Sequence, residues 1–255
     1  MQSRQMTECS DGTMVFYRVK LGKFFDISNP DTATEQSIER FLLQFKNPGN
    51  RHAYFRAIRT FYNWREHRFG LPSPMVNMKA PRLGKLIMPS LEYEQVLTLI
   101  QKANNNRDKA IIALFTESGM RLSELTNIRV QDIDWNNSII KTIGKGNKEG
   151  FAPFGAMSEQ YLKQWLAEYN PNSCGIWGLN KWGITTMLRR LDEKTGLPCN
   201  PHTFRRTFAC LLRKAGVDTM TIKDLGRWES LEMVQRYTRS VTFHDSLKLY
   251  KAPLS

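Results

Sequence analysis

Residues 72–90, PSPMVNMKAPRLGKLIMPS, carry four prolines and no sustained helical or strand period. Proline lacks a backbone donor and drives the residue before it out of the helical region, so no regular element runs through this stretch. The chain is therefore expected to fold as two bodies: a helical domain at 1–80, a linker at 81–90 and a second domain at 91–255. A length of 255 residues suits one large domain or two modest ones, with a substantial core in at least one.

Short helical patterns fill the N-terminal part. GTMVFYRVKLGKFFDI places Val15, Phe16, Val19, Leu21, Phe24 and Phe25 near one stripe, and Ile38, Phe41, Leu42 and Phe45 repeat the spacing after a cap at Thr32 or Thr34. A longer helix follows the NPGN turn, with Tyr54, Ile58, Phe61, Tyr62 and Trp64 as its apolar set. Arg51, Arg56, Arg59, Arg65 and Arg68 interleave with those aromatics and read either as a solvated face or as phosphate contacts. Beyond the linker the pattern is mostly helical. DKAIIALFTESG forms a buried helix stopped at Gly119, and SIIKTIGKGNKEGFAPF reads as two short strands around a Gly-rich turn.

Charge narrows the function class. The chain holds 37 Lys+Arg against 24 Asp+Glu, a net charge of +13, and the excess lies on both sides of the linker. Such a balance favours a polyanionic partner, because neutralised phosphates release condensed counterions. Cys9, Cys174, Cys199 and Cys210 show neither close pairing nor zinc-ligand spacing and read as reduced thiols. No apolar run is long enough to span a bilayer, and the first residues lack the apolar core of a signal peptide. A cytoplasmic protein with no membrane role is expected.

Four segments carry chemistry. In TESGMRLSEL, Arg121 follows a glycine turn, where its planar fork can bind two phosphate oxygens at once, and Glu124 sits three residues on along the same helical side. In PHTFRRTFA, His202 and Arg205 share one helix face opened by Asn200 and Pro201, while Arg206 and Arg213 point elsewhere. Lys145 lies in a Gly-rich hairpin tip beside the competing Lys148. In LGRWESLEMVQRYTR, Trp228 offers one N–H donor and no acceptor, nine residues before Tyr237. Each residue also has a plain reading: a surface ion pair for Arg121, core packing for His202 and Trp228, solvation for Lys145. Tyr237, with an ordinary pKa of about 10, needs a cationic pocket or a base to act as a nucleophile.

Taken in order, these segments resemble the tyrosine recombinase or phage integrase family, including Xer-type and Cre-like site-specific recombinases. The resemblance is clear from about residue 108 to 240. It covers the arginine turn at Arg121 and Glu124, the hairpin lysine at Lys145 with Pro153, the H-x-x-R helix at His202 and Arg205, and the segment Leu225, Gly226, Trp228 and Tyr237. Three departures stand out: Gly150 occupies a hairpin position that commonly has arginine, Arg206 one where histidine is frequent, and Trp228 one most often histidine.

The resemblance implies a mainly α fold, with an N-terminal helical core-binding (SAM-like) bundle and an α-rich catalytic domain bearing a small antiparallel sheet. It also implies a nucleophile at Tyr237, phosphate stabilisation by Arg121 and Arg205, a general acid at Lys145, a proton acceptor at His202, positioning by Trp228 and support from Glu124. The expected partner is double-stranded DNA, with a homotetramer on paired sites and no cofactor or metal. The rival expectations are a type IB topoisomerase-like enzyme and a catalytically silent DNA-binding protein.

Overall fold

The structure, a computed structural model, describes residues 11–84, 88–144, 149–169 and 175–250. The chain divides into two compact units, Met1–Leu86 and Ile87–Ser255.

In the first unit, helices α1 (Asp11–Phe25), α2 (Glu35–Leu43) and α3 (Pro48–Phe69) enclose a core of Phe24, Ile38, Phe41, Tyr54, Ile58 and Tyr62. Thr34 and Ser37 cap α2 reciprocally, and Asn47 caps α3 ahead of Pro48. The expected stripe on α1 needs correction. Phe24 is buried, but Val15 and Val19 are 55% and 56% exposed, and Met14 turns inward instead. Apolar residues lie on nearly every side of α1, so spacing alone does not select a face; packing against α3 does.

Met75 and Met78, from the proline-rich stretch, are buried in the core of the same unit. One further correction concerns the arginines. Three of the interleaved arginines are spent on their own unit: Arg51 donates to the Phe45 carbonyl, Arg59 to those of Met75 and Met78, and Arg65 to Pro30 and Asp31. Arg56 and Arg68 remain exposed.

The second unit is organised around α5 (Asn106–Ser118), whose consecutive residues Ile111, Ile112, Ala113, Leu114 and Phe115 are all buried. A helix apolar on all sides must be wrapped by others. Here α4 (Tyr93–Lys102), α7 (Ala156–Glu168) and α9 (Pro201–Lys214) pack on it, with Phe115 and Phe204 stacked at 5.7 Å. Between α6 (Leu122–Thr126) and α7 runs a small antiparallel sheet in the order β1 (Ile133–Asp134), β2 (Ile139–Ile143), β3 (Glu149–Pro153). Its register pairs Ile140 with Ala152, both buried, and Ile143 with Glu149. Helix α8 (Lys181–Thr195) precedes α9, and α10 (Thr219–Leu225), α11 (Leu231–Tyr237) and α12 (Phe243–Leu247) close the unit. A second, smaller apolar cluster gathers Phe208, Ile222, Trp228 and Val234, with Tyr237 packed at its edge.

Candidate active site

Helix α5 ends where Gly119 adopts φ +57°, a left-handed conformation that glycine reaches without strain. A side chain there would also meet the Phe208 ring, 2.5 Å from an added Cβ. The reversal delivers Arg121 as the cap residue of α6. Its backbone N–H donates to Glu124 Oε2 at 2.9 Å, and its Nη1 donates to Glu124 Oε1 at 2.6 Å. Glu124 is buried, whereas the Arg121 side chain is 37% exposed and has edges free for a ligand. Arg121 and Glu124 are thus joined as a hydrogen-bonded ion pair.

Burial would raise the Glu124 pKa, but the Arg121 N–H, the Arg227 charge and the Arg121 guanidinium together hold it below the ordinary value. The carboxylate is therefore charged at neutral pH.

Arg205 reaches the same place from α9, whose first turn is capped by Asn200 accepting from Thr203 N–H at 3.0 Å. Its guanidinium is buried and donates to the carbonyls of Gly119 and Gly226. Burial, then the neighbouring Arg121 and Arg227, lower its pKa to about 10, which leaves it cationic at neutral pH.

The turn after α10 holds both arginines. Trp228 N–H donates to Lys223 O and Arg227 N–H to Asp224 O, each at 3.0 Å, the paired bonds of a Schellman ending. The left-handed position in that ending falls on Arg227, at φ +55°. Consecutive carbonyls then serve consecutive cations: Gly226 O accepts from Arg205, and Arg227 O accepts from Arg121 Nη2 at 3.4 Å. The Trp228 ring lies 4.4 Å from the Arg205 guanidinium and 5.4 Å from the Tyr237 ring. Gly226 is required sterically, because a Cβ there would sit 1.9 Å from the indole. The indole Nε1 is buried without an acceptor among the described residues, a cost normally avoided unless a ligand completes the site.

Tyr237 is the last residue of α11 and half-buried. Its carbonyl accepts from Cys210 Sγ at 3.4 Å, and Arg213 donates to the adjoining Thr238 hydroxyl at 3.2 Å, so α9 anchors the turn that presents the phenol. Arg206 is buried and turned to partners outside this cluster, donating to Pro89 O at 2.9 Å and to Thr203 Oγ1 at 3.1 Å. Burial lowers its pKa, and the nearby Tyr237 opposes that shift.

The structure thus brings Arg121, Glu124, Arg205, Trp228 and Tyr237 together. His202 stands one turn before Arg205, on the exposed first turn of α9. Partial burial against that helix, then the Arg206 and Arg205 charges, push its pKa down, so the ring is neutral at pH 7. Lys145 lies outside the described residues; the strands flanking it, β2 and β3, are paired up to Ile143 and Glu149. Arg227 was not singled out by sequence reasoning. It donates to Glu124 Oε2 at 3.2 Å and puts a third guanidinium beside one carboxylate. Three cations against one anion leave a net positive charge that favours a bound anion.

Residues 89–243 match the Phage integrase family, more than half of the chain. The chain belongs to the phage integrase family. It is 31% identical over 200 residues to the tyrosine recombinase XerC of Staphylococcus epidermidis, covering 71% of this chain and 68% of that protein. It is 27% identical over 259 residues to the tyrosine recombinase XerA of Pyrococcus horikoshii, covering 96% and 89%. Among solved structures, a lambda integrase dimer bound to a COC′ core site shares the fold of this tyrosine recombinase at TM-score 0.79 and 13% identity, over 97% of this chain and 76% of that one. XerH site-specific recombinase bound to palindromic difH substrate, in a post-cleavage complex, shares it at TM-score 0.70 and 19% identity, over 91% and 76%. No helix among the described residues is long and apolar enough to cross a membrane.

Proposed function

We propose that this recombinase cleaves and rejoins double-stranded DNA at specific sites through a covalent bond to Tyr237. The observation that carries the reading is the cluster of cations beside that tyrosine: Arg121 and Arg205 are held by adjacent carbonyls, and a buried indole N–H has no acceptor among the described residues. In this reaction the Tyr237 oxygen bonds to phosphorus and the bond from phosphorus to the 5′-oxygen breaks. The phenolic proton passes to His202, and the leaving oxygen takes a proton from Lys145. Arg121 and Arg205 stabilise the charge that grows on the non-bridging oxygens, and Trp228 donates to one of them. The phosphotyrosyl link conserves the bond energy, so attack by a 5′-hydroxyl of a second duplex completes exchange without ATP.

Exchange between two duplexes requires an assembly, and the reading extends to a homotetramer. After Tyr237, α12 carries Phe243 at 75% exposure, followed by Leu247 at 50% and Tyr250 at 63%. Its contacts to its own unit are slight: Asp245 lies 3.7 Å from Lys214, and Leu249 rests on Gly216. An apolar tail passed from each protomer to the next gives a head-to-tail contact that closes as a ring.

The test incubates the protein with a nicked duplex, bearing a sequence recovered from DNA trapped on it in cells, and a partner duplex with a free 5′-hydroxyl. Recombinant strands support the reading. Supercoil relaxation of a plasmid carrying that site without exchange selects the topoisomerase-like alternative, and binding without any adduct selects a silent DNA-binding protein.

A further inference from the structure

Arg227 occupies a position that favours glycine. In the Schellman ending of α10 a left-handed residue with a side chain is strained, and this one is arginine at φ +55°. Strain of that kind persists where the surroundings hold it. Here the side chain is what is held: it is 13% exposed and fans across three separate segments. Its Nη1 donates to Leu225 O at 2.8 Å and to Phe151 O of β3 at 3.3 Å. Its Nη2 donates to Ser118 O at 3.3 Å and to Glu124 Oε2 at 3.2 Å.

The space it fills is vacated by a second residue. A Cβ on Gly150 would lie 3.2 Å from Arg227 Cδ, so the stem of Arg227 runs where a side chain at 150 would begin. Gly150 is also the hairpin position at which the resembling motif commonly carries arginine. The guanidinium is thus present near β3 although the strand does not supply it.

We infer that Arg227 is a positioning residue for DNA cleavage: entering from the α10 turn through the gap left by Gly150, its guanidinium fixes the Glu124 carboxylate that orients Arg121 and ties β3 to the arginine turn. It rests on the reading of this site as a DNA-cleaving centre. Glu124 has two oxygens, one facing each arginine, so loss of Arg227 frees the carboxylate to rotate and lets Arg121 shift.

The experiment measures single-turnover cleavage of a nicked suicide duplex, bearing the trapped sequence, by protein at saturating concentration. Affinity for the same duplex and the melting temperature are measured alongside. Arg227→Gly keeps the backbone turn and removes only the side chain. Its cleavage should fall roughly a hundredfold, as small misplacements of reacting groups do, far more than any loss of DNA affinity. Adding Gly150→Arg to that variant should restore cleavage, because a guanidinium re-enters the same space from the strand. Gly150→Arg alone should impair it, since two side chains then compete for one volume. Arg227→Lys keeps the charge without the fork and serves if the glycine variant does not fold; its cleavage should fall at unchanged affinity.

Wild-type cleavage by both Arg227 variants overturns the inference, as does failure of Gly150→Arg to rescue a folded Arg227→Gly. Absence of any adduct with the unmodified protein would instead overturn the reading on which the inference rests.

Discussion

The buried indole N–H of Trp228 gives the residue scale its sharpest test. Trp228→Phe keeps a ring against Arg205 and Tyr237 but removes the donor, so folding should persist while single-turnover cleavage falls. Loss of one preorganised donor to a developing oxyanion costs about 10²–10³-fold, and Trp228→His, which restores a donor, should recover part of it. His202 supplies a second test through pH. Its pKa is lowered from the ordinary 6.5 by partial burial and by Arg206 and Arg205. A depressed pKa means the ring stays a neutral acceptor as pH falls through 6.5, and protonates only below it. Cleavage followed from pH 8 to 5 should therefore hold its rate at 6.5 and decline at lower pH. A fall centred at or above 6.5 that His202→Gln removes would contradict this assignment.

At the scale of elements, the local signals in the sequence carried far. Gly119 as a helix stop and Asn200–Pro201 as a helix start are short-range chemistry, and both fix candidate site residues: the first aims Arg121 and the second aims Arg205. Gly119→Ala should cost more than the ~1–2 kcal/mol of a left-handed alanine alone, because its Cβ also meets the Phe208 ring. A urea melt that shifts by less than this would show that the ring moves aside freely. What the sequence did not disclose depends on long-range packing. The buried face of α1 was unreadable because its apolar residues surround the helix. Arg51, Arg59 and Arg65 resembled a phosphate-facing row, yet they hold loops of their own unit. Spacing set Arg206 apart from the His202 and Arg205 face but could not name its partner, Pro89, 117 residues away. Arg227 was hidden for the same reason. Its neighbours in sequence mark a turn, whereas its purpose lies in Glu124 and β3.

For the molecule as a whole, the mainly α architecture with one small sheet follows from the sequence pattern, and the division near the proline-rich stretch separates two cores. A net charge of +13 predicts that DNA affinity falls steeply and linearly on a log–log plot against salt. The exposed apolar tail predicts a separation of activities. Deleting residues 241–255 should leave binding to a single site nearly intact while abolishing synapsis and strand exchange, followed by light scattering on paired sites. Tetrameric synapses formed by the truncated protein would show that the tail serves only its own unit.

All of this rests on Tyr237 bonding to DNA. The direct measurement mixes the protein, with EDTA present, and the nicked suicide duplex, then separates covalent protein–DNA adducts on a denaturing gel. Wild-type protein should yield an adduct whose linked peptide contains Tyr237, and Tyr237→Phe should bind the duplex with equal affinity and yield none. An adduct at wild-type yield from Tyr237→Phe, or one mapped to another tyrosine such as Tyr250, would contradict the account.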